Sequence, residues 1–354
     1  MSTSYRRVIV PKFGPADVLA VETVETPPLG AKQVRVEVHF IGINYADTLA
    51  RRGYYKWAGD PPFAPGFEVS GVITEVGSES RFKVGDTVMV FSRFGGYAEI
   101  LTADEERVFV LPHGMSLQEA AAVPAVYATA HHALYEVMRV REGESILIQA
   151  VAGGVGLAAL QLAKHSGLVT YGTASSPEKL AFAAEHGLDH GIDYSKVDFE
   201  EEIARLTDKQ GVRFVLDSLG GEGFRKGYRC LSSPGHALVI GGAGIVPPES
   251  TFSVEGVLEW TRVISDFVKG GVFHPFPLIV ENKAVSGMQI LLLWDQLEYL
   301  RGVGERILEL YTKGAIKPFV HEIFPLTEAA EAHRFIEGRR SKGKLLLSTE
   351  SAHV

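Results

Sequence analysis

The chain contains one cysteine, Cys230, in 354 residues. A disulfide within the chain needs two and a cysteine-rich metal site needs more, so both are excluded. Long hydrophobic runs are also missing. The longest apolar cluster, Met288 to Trp294, is far short of the ~20 residues that cross a bilayer, so no transmembrane segment is expected. The start, Met1 to Pro11, lacks the apolar centre of a secretory signal, and a cytoplasmic location is expected. Excess positive charge is absent too. The formal net charge is −8, and nothing would offset repulsion from nucleic-acid phosphates except a local basic patch. Arg339, Arg340, Lys342 and Lys344 are the one concentration of basic residues, expected to form a solvated surface; no nucleic-acid partner is expected. What remains is ordinary globular composition, 46% hydrophobic and 22% charged, in a chain longer than one core usually supports, so two domains are expected.

The first third reads as strands. Residues Val34 to Phe40 and Val69 to Val76 alternate apolar and polar side chains, the period of a half-buried strand. Gly71, Gly77 and Gly85-Asp86 punctuate them with turn chemistry. From about Val140 strands and helices alternate. The predicted strands are Ser145–Gln149, Val169–Thr173, His190–Ile192, Val212–Leu216 and Ala237–Ile240, with Val285–Ile290 a sixth. Between them Leu157–Lys164, Glu178–Glu185, Phe199–Leu206 and Gly223–Cys230 read as helices. Such alternation means βαβ units and a parallel sheet. Glu298–Lys313 and Leu326–Ile336 read as further helices, and Lys344–Leu347 as a last strand.

Between the first of those parallel strands and its helix lies Ala150-Val-Ala-Gly153-Gly154-Val155-Gly156. Glycines there permit a tight turn and let the backbone approach a pyrophosphate, while the helix N-terminus presents N–H groups and the positive end of its dipole. Ala150 stands where the fingerprint has its first glycine. A turn chosen for packing alone is the competing reading. NAD binders place an acid about 20 residues further on, to hold the ribose 2′-hydroxyl. Here that place reads Thr173-Ala-Ser175-Ser176, with no acid before Glu178 and with Lys179 following. Hydroxyls and a cation suit a 2′-phosphate, so NADPH is the expected cofactor, with Tyr194 covering the adenosine side.

Taken together, Gly42-Ile-Asn44-Tyr45-Ala-Asp47, Pro65-Gly-Phe67-Glu68, Gly85-Asp86-Thr-Val88 and Ala150 to Gly156 resemble the medium-chain dehydrogenase/reductase superfamily. Within it the chain looks like the quinone oxidoreductase and zeta-crystallin branch. Glu281-Asn-Lys-Ala-Val285 with Gly287, and Lys313-Gly-Ala-Ile-Lys-Pro318, resemble the vesicle amine transport protein homologues of that branch. The resemblance runs over nearly the whole chain. It implies an α/β fold: a Rossmann doubly wound parallel sheet (127–301) inserted into a chaperonin-10-like β-rich catalytic domain (1–126 and 302–354), with the active site in the cleft between them. It also implies that Asn44 and Tyr127 to Thr129 face the nicotinamide half. Ile240-Gly241-Gly242-Ala243 would form the opposite wall, and Ser218 would line the groove. The Ile240–Ala243 segment lacks the serines frequent in quinone reductases, so contacts there would come from backbone. A homodimer joined through the edge strand of the cofactor sheet is implied as well.

Zinc alcohol dehydrogenases of this superfamily carry cysteine where Asn44 stands and histidine where Phe67 stands. Neither amide nor phenyl is a ligand of tetrahedral zinc sites, so no metal is expected. Without a Lewis acid, simple alcohol oxidation is disfavoured, and a planar, electron-poor acceptor fits better. The expected activity is NADPH-dependent reduction of quinones. Reduction of an enone or enoyl thioester, or a nucleotide-binding membrane-associated or structural role with little catalysis, would leave the same motifs. Tyr45 or Tyr54 can serve as proton donor or merely stack on a flat substrate, and Asp47 reads as structural, bonding local backbone N–H groups. His131 and His132 point about 100° apart on a helix and read as one packed and one exposed residue. Cys230 reads as a small buried hydrophobe. For the aromatic stretch Phe252 to Phe276 a pocket wall, a subunit interface and plain core compete, with Phe273-His-Pro-Phe-Pro277 read as a loop.

Overall fold

The structure is a computed structural model that describes residues 4–244 and 275–350. The chain divides into two compact units, 1–128 with 291–354, and 129–290.

The first unit begins with an antiparallel pair, β1 (Ser4–Ile9) and β2 (Ala20–Glu25). Next come β3 (Gln33–Ile43), helix α1 (Tyr45–Arg51), β4 (Glu68–Val76), β5 (Thr87–Phe91), β6 (Ile100–Asp104) and β7 (Val108–Val110). Helices α2 (Leu117–Ala121) and α3 (Pro124–His131) follow. Alternation was the reason to predict β3, yet its second half, Phe40 to Ile43, is buried on both faces. The cause is pairing: β3 is held by β4, β6 and a C-terminal strand at once.

In the second unit β8 (Ser145–Ile148), α4 (Gly154–His165), β9 (Val169–Ala174), α5 (Pro177–Glu185), β10 (His190–Asp193), α6 (Phe199–Leu206), β11 (Val212–Asp217), α7 (Gly221–Arg229) and β12 (Leu231–Val239) alternate as predicted. Helix α8 (Pro275–Glu281) leads into β13 (Lys283–Gly287). All pairings in this sheet are parallel, in the order β10-β9-β8-β11-β12-β13. The order reverses between β8 and β11, and open α/β sheets bind ligands at the carboxyl ends of the strands at such a point. Ile146, Leu147 and Ile148 are completely buried, because helices cover a parallel sheet on both faces.

The first unit then closes with α9 (Leu297–Thr312), β14 (Val320–Pro325), α10 (Ala329–Glu337) and β15 (Lys344–Ser348). β15 pairs antiparallel with β3, completing a sheet ordered β14-β15-β3-β4-β5-β7 with β6 also on β3.

Three expectations are corrected. The second boundary falls at 290/291 rather than 301/302, because Leu291 packs with Ala50, Tyr55 and Phe67 of the first unit. The sixth strand ends at Gly287, and Ile290 to Leu293 form one tight helical turn. Pro275 and Pro277 open helix α8 rather than a loop, since proline is tolerated in a first helical turn, where its missing N–H would have no partner. Residues 252–274 of the aromatic stretch lie outside the described residues.

Candidate functional site

In the second unit β8 ends beside β11, with Gln149 donating its N–H to the Leu216 carbonyl at 3.0 Å. The chain then turns through Ala150, whose φ of 51° is left-handed, the conformation that favours glycine at this place. Gly153 caps α4 and brings no side chain to the first N–H groups of the helix. The turn's two outer glycines differ in what demands them. A Cβ on Gly156 would sit 2.3 Å from the Ala150 oxygen and 2.8 Å from the Val151 Cα, so packing alone requires glycine there. A Cβ on Gly153 would meet nothing nearer than the Ala150 oxygen at 3.3 Å. A Cβ at Gly153 would thus make one tight backbone contact, milder than the clash at Gly156, and the N–H groups of a helix N-terminus favour an anion there.

At the end of β9, Ser175 is exposed and Ser176 caps α5, accepting the Lys179 N–H at 3.4 Å. The Ser176 hydroxyl also bonds Glu178, holding that carboxyl below its usual range. The hydroxyl is thus engaged within its own helix, while Ser175 is exposed and Lys179 half-buried. Tyr194 donates its N–H to the Ala174 carbonyl at 3.2 Å, which brings it next to Ser175.

At the carboxyl ends of β11 and β12 two segments named from the sequence lie side by side. The Ile240 N–H reaches the Asp217 carbonyl at 2.8 Å and the Ala243 N–H reaches the Ser218 carbonyl at 3.2 Å. Gly241 must be glycine, since a Cβ would come 2.8 Å from the Ser218 oxygen. Asp217 shapes this turn. Its Oδ1 accepts the N–H groups of Leu219 at 2.9 Å and Gly220 at 2.6 Å, Oδ2 is buried without a partner among the described residues, and burial pushes the carboxyl up to about 6. Thr129, on α3, is half-buried, whereas Tyr127 and Ala128 before it are buried.

In the first unit Asn44 sits at the head of α1 with its side-chain amide bound on both sides. Nδ2 donates to Glu68 Oε1 at 2.8 Å, and Oδ1 accepts from Lys344 Nζ at 2.7 Å. Lys344 and Glu68 form an ion pair at 2.6 Å, 4% and 0% exposed, and Glu68 Oε2 accepts the Ala125 N–H at 2.7 Å. Sequence reasoning missed this pair. Glu68 was quoted in a motif without a role, and Lys344 was read as solvated surface. The structure corrects that: Lys344 opens β15, and β15 is an interior strand. The available signal was the apolar run Lys344-Leu-Leu-Leu-Ser348, in which a surface lysine would be out of place. Asp47 does bond local backbone, accepting the N–H groups of Asn44 at 2.8 Å and Gly66 at 3.0 Å.

Tyr45 begins α1 half-buried, its hydroxyl made less acidic by burial and set among Arg52, Glu337 and Arg339. Tyr54 lies past the other end of the helix, exposed, with the Arg52 guanidinium 5.3 Å from its ring centre. The helix thus separates the two tyrosines. Phe67 is in an aromatic cluster, 5.1 Å from Phe94 and 5.9 Å from Tyr55 between ring centres. Among the described residues no three histidine, cysteine, aspartate or glutamate side chains gather as a metal site would need. His131 is buried against Tyr135 and His132 is half-buried, not exposed. Cys230 is buried, its thiol pushed up to about 12 by that burial.

Two family descriptions match the chain, "Alcohol dehydrogenase GroES-like domain" over residues 30–131 and "Zinc-binding dehydrogenase" over 154–287. The synaptic vesicle membrane protein VAT-1 homolog of Danio rerio is 34% identical over 350 residues, covering 98% of this chain and 70% of that protein. The structure of Escherichia coli quinone oxidoreductase complexed with NADPH aligns with TM-score 0.82 and 27% identity, over 97% of this chain and 99% of that one. CurK enoyl reductase aligns with TM-score 0.82 and 27% identity, over 98% and 99%.

Proposed function

The chain belongs to the medium-chain dehydrogenase/reductase superfamily, and on that footing we propose that it is an NADPH-dependent, zinc-independent reductase of quinones. The observation that carries the reading is the β8–α4 turn, in which left-handed Ala150 is followed by Gly153 at the head of α4 with no capping side chain. NADPH, when bound, supplies the hydride. The residues proposed to hold it are Ala150, Gly153, Gly154, Val155 and Gly156 for the pyrophosphate, and Ser175, Ser176 and Lys179 for the 2′-phosphate. Tyr194 would cover the adenosine, while Ser218, Ile240 to Ala243, Thr129 and Asn44 would contact the nicotinamide half. The Asn44 amide is held in one orientation by Glu68 and Lys344, by the Gly42 carbonyl, which Nδ2 reaches at 3.5 Å, and by the capping box at the head of α1. Phe67 presents an apolar face where the zinc enzymes hold a ligand, which suits an acceptor that is already electron-poor. Tyr45 and Tyr54 are the proposed proton donors, to be separated by substitution. The proposed assembly is a homodimer and the proposed location cytoplasmic. Among the described residues no helix is long and apolar enough to cross a membrane.

Likeness to CurK enoyl reductase supports a second reading, reduction of a conjugated C=C bond. The deciding test is NADPH consumption over quinones, enones, enoyl thioesters and aldehydes, with identification of the products. Quinone reduction is expected. Turnover confined to enoyl thioesters would establish the second reading, and NADPH binding without turnover of any acceptor would sink both.

A further inference from the structure

Four side chains behind Asn44 are completely buried although all are polar: Arg51, His333, Tyr97 and Asp47. Asp47 and Arg51 lie one turn apart on α1, Tyr97 and His333 come from distant parts of the chain, and the four meet one after another. Arg51 Nη1 lies 3.2 Å from His333 Nδ1, and His333 Nε2 lies 3.0 Å from the Tyr97 hydroxyl. That hydroxyl in turn bonds the Asp47 carboxyl.

The direction of these bonds follows from donor chemistry. A guanidinium only donates, so His333 Nδ1 must accept and carries no proton. A neutral imidazole then has its proton on Nε2, which donates to the Tyr97 oxygen. The Tyr97 O–H is left to donate to Asp47. Every bond points the same way, and the chain ends on the carboxylate that holds the Asn44 and Gly66 N–H groups. The far end is anchored as well, with Arg51 bound to Glu337 at 2.8 Å and to the Gly14 carbonyl at 3.1 Å.

We propose that Arg51, His333, Tyr97 and Asp47 form a one-way hydrogen-bond chain that holds Asn44 at the head of α1, with Tyr97 and His333 as positioning residues of the reaction. This rests on the reading of Asn44 as a residue of the reductase site. Burial and the Arg51 charge push His333 down to about 3, so it stays neutral as the chain requires. Burial pushes Asp47 up to about 7 against the pull of its backbone donors and of Lys344, while Glu68 pushes the same way as burial. Tyr55 and Arg51 are the other ionisable groups near this pair. Losing the Tyr97 donor would raise Asp47 further and release the head of α1 at a higher pH.

Nitrogen-15 labelling of histidine tests the direction in the parent protein. His333 is expected neutral, with Nε2 protonated and Nδ1 bare, down to pH 5; a proton on Nδ1 overturns the chain. Amide hydrogen exchange at Asn44 and Gly66 tests its purpose in Tyr97→Phe, His333→Leu and His333→Gln. Exchange is expected to speed at least about ten-fold at pH 7 in Tyr97→Phe, as a charge-assisted bond is lost, and by less in His333→Leu, where Tyr97 keeps its O–H but loses the N–H that fixes its direction. It should return toward the parent rate in His333→Gln, whose amide can accept from Arg51 and donate to Tyr97. With NADPH and 1,4-naphthoquinone, the acid limb of kcat should move up by about one to two pH units in the first two variants. Parent-like exchange and parent-like pH profiles in Tyr97→Phe and His333→Leu would refute the proposal. A parent that binds NADPH but reduces no acceptor defeats the reductase reading alone, because tautomer and exchange measurements still decide the chain.

Discussion

At Ser176 one hydroxyl serves both the Lys179 N–H and the Glu178 carboxylate, so cofactor choice is tested at its neighbours, at Lys179 through its charge and at Ser175 through its exposed position. A charge-assisted hydrogen bond is worth roughly 1.5–3 kcal/mol, so Lys179→Ala should weaken NADPH binding by about ten-fold or more and leave NADH nearly unchanged. Ser175→Asp should shift preference toward NADH by repelling the phosphate and offering an acceptor to the ribose hydroxyl. Dissociation constants for both cofactors on the parent and the two variants check this; equal weakening of both by Lys179→Ala would remove the phosphate assignment. A second residue-scale prediction concerns metal. With Phe67 packed among aromatic rings and the Asn44 amide committed to Glu68 and Lys344, purified protein should carry no stoichiometric zinc, and chelators should leave turnover unchanged. One zinc per chain by metal analysis would contradict it.

The β8–α4 turn lets packing and binding be separated within one element. Gly156→Ala forces a Cβ against the Ala150 and Val151 backbone and should lower the melting temperature sharply. Gly153→Ala brings its Cβ to 3.3 Å from the Ala150 oxygen, a milder contact than at Gly156, at a φ of −78°, which any residue adopts. It should lower the melting temperature much less than Gly156→Ala while weakening both NADPH and NADH by about ten-fold or more, since the methyl occupies the approach to the N–H groups. Equal effects of the two substitutions on stability, or tight binding by Gly153→Ala, would refute the assignment. Elements were largely legible beforehand where period and punctuation agree, as from β8 to α7. Their ends were less so. β13 stops at Gly287, and α8 starts at prolines read as a loop, because local residue preferences do not report which backbone groups a neighbour will pair.

For the molecule as a whole, the edge strand matters most. β13 pairs with β12 and, among the described residues, with nothing else, and on α8 beside it Phe276, Ile279 and Val280 are 66%, 75% and 69% exposed. An unpaired edge beside apolar side chains invites a second strand, so a homodimer is expected by light scattering at micromolar concentration; a monomer would count against it. Global stability should also carry the mark of Asp217. A carboxyl held near 6 when folded, against 3.8 otherwise, binds its proton more tightly in the folded state. That contribution is complete below pH 4 and is lost as pH rises through 6, leaving the fold about 3 kcal/mol less stable above it. Asp217→Asn keeps the Oδ1 acceptor and should make the dependence between pH 4 and 6 shallower in denaturant titrations, leaving the part that Asp47, pushed up to about 7, contributes with the same sign. An unchanged slope would show that Asp217 is not the titrating group.

The order of strands and helices, the glycine turn between β8 and α4 and the residue types at positions 44 and 67 were determined by the sequence itself. Hydrophobic period, glycine placement and ligand chemistry are properties of neighbouring residues or of residue type, and they survive without knowledge of the fold. Tertiary structure alone decided the fate of Lys344, expected in solvent and found paired with Glu68 in the interior. It likewise decided the joining of Arg51, His333, Tyr97 and Asp47. The apolar run after Lys344 hints at burial, but nothing near it in the chain names Glu68, because what allows the burial is the partner itself, and only folding brings the two together.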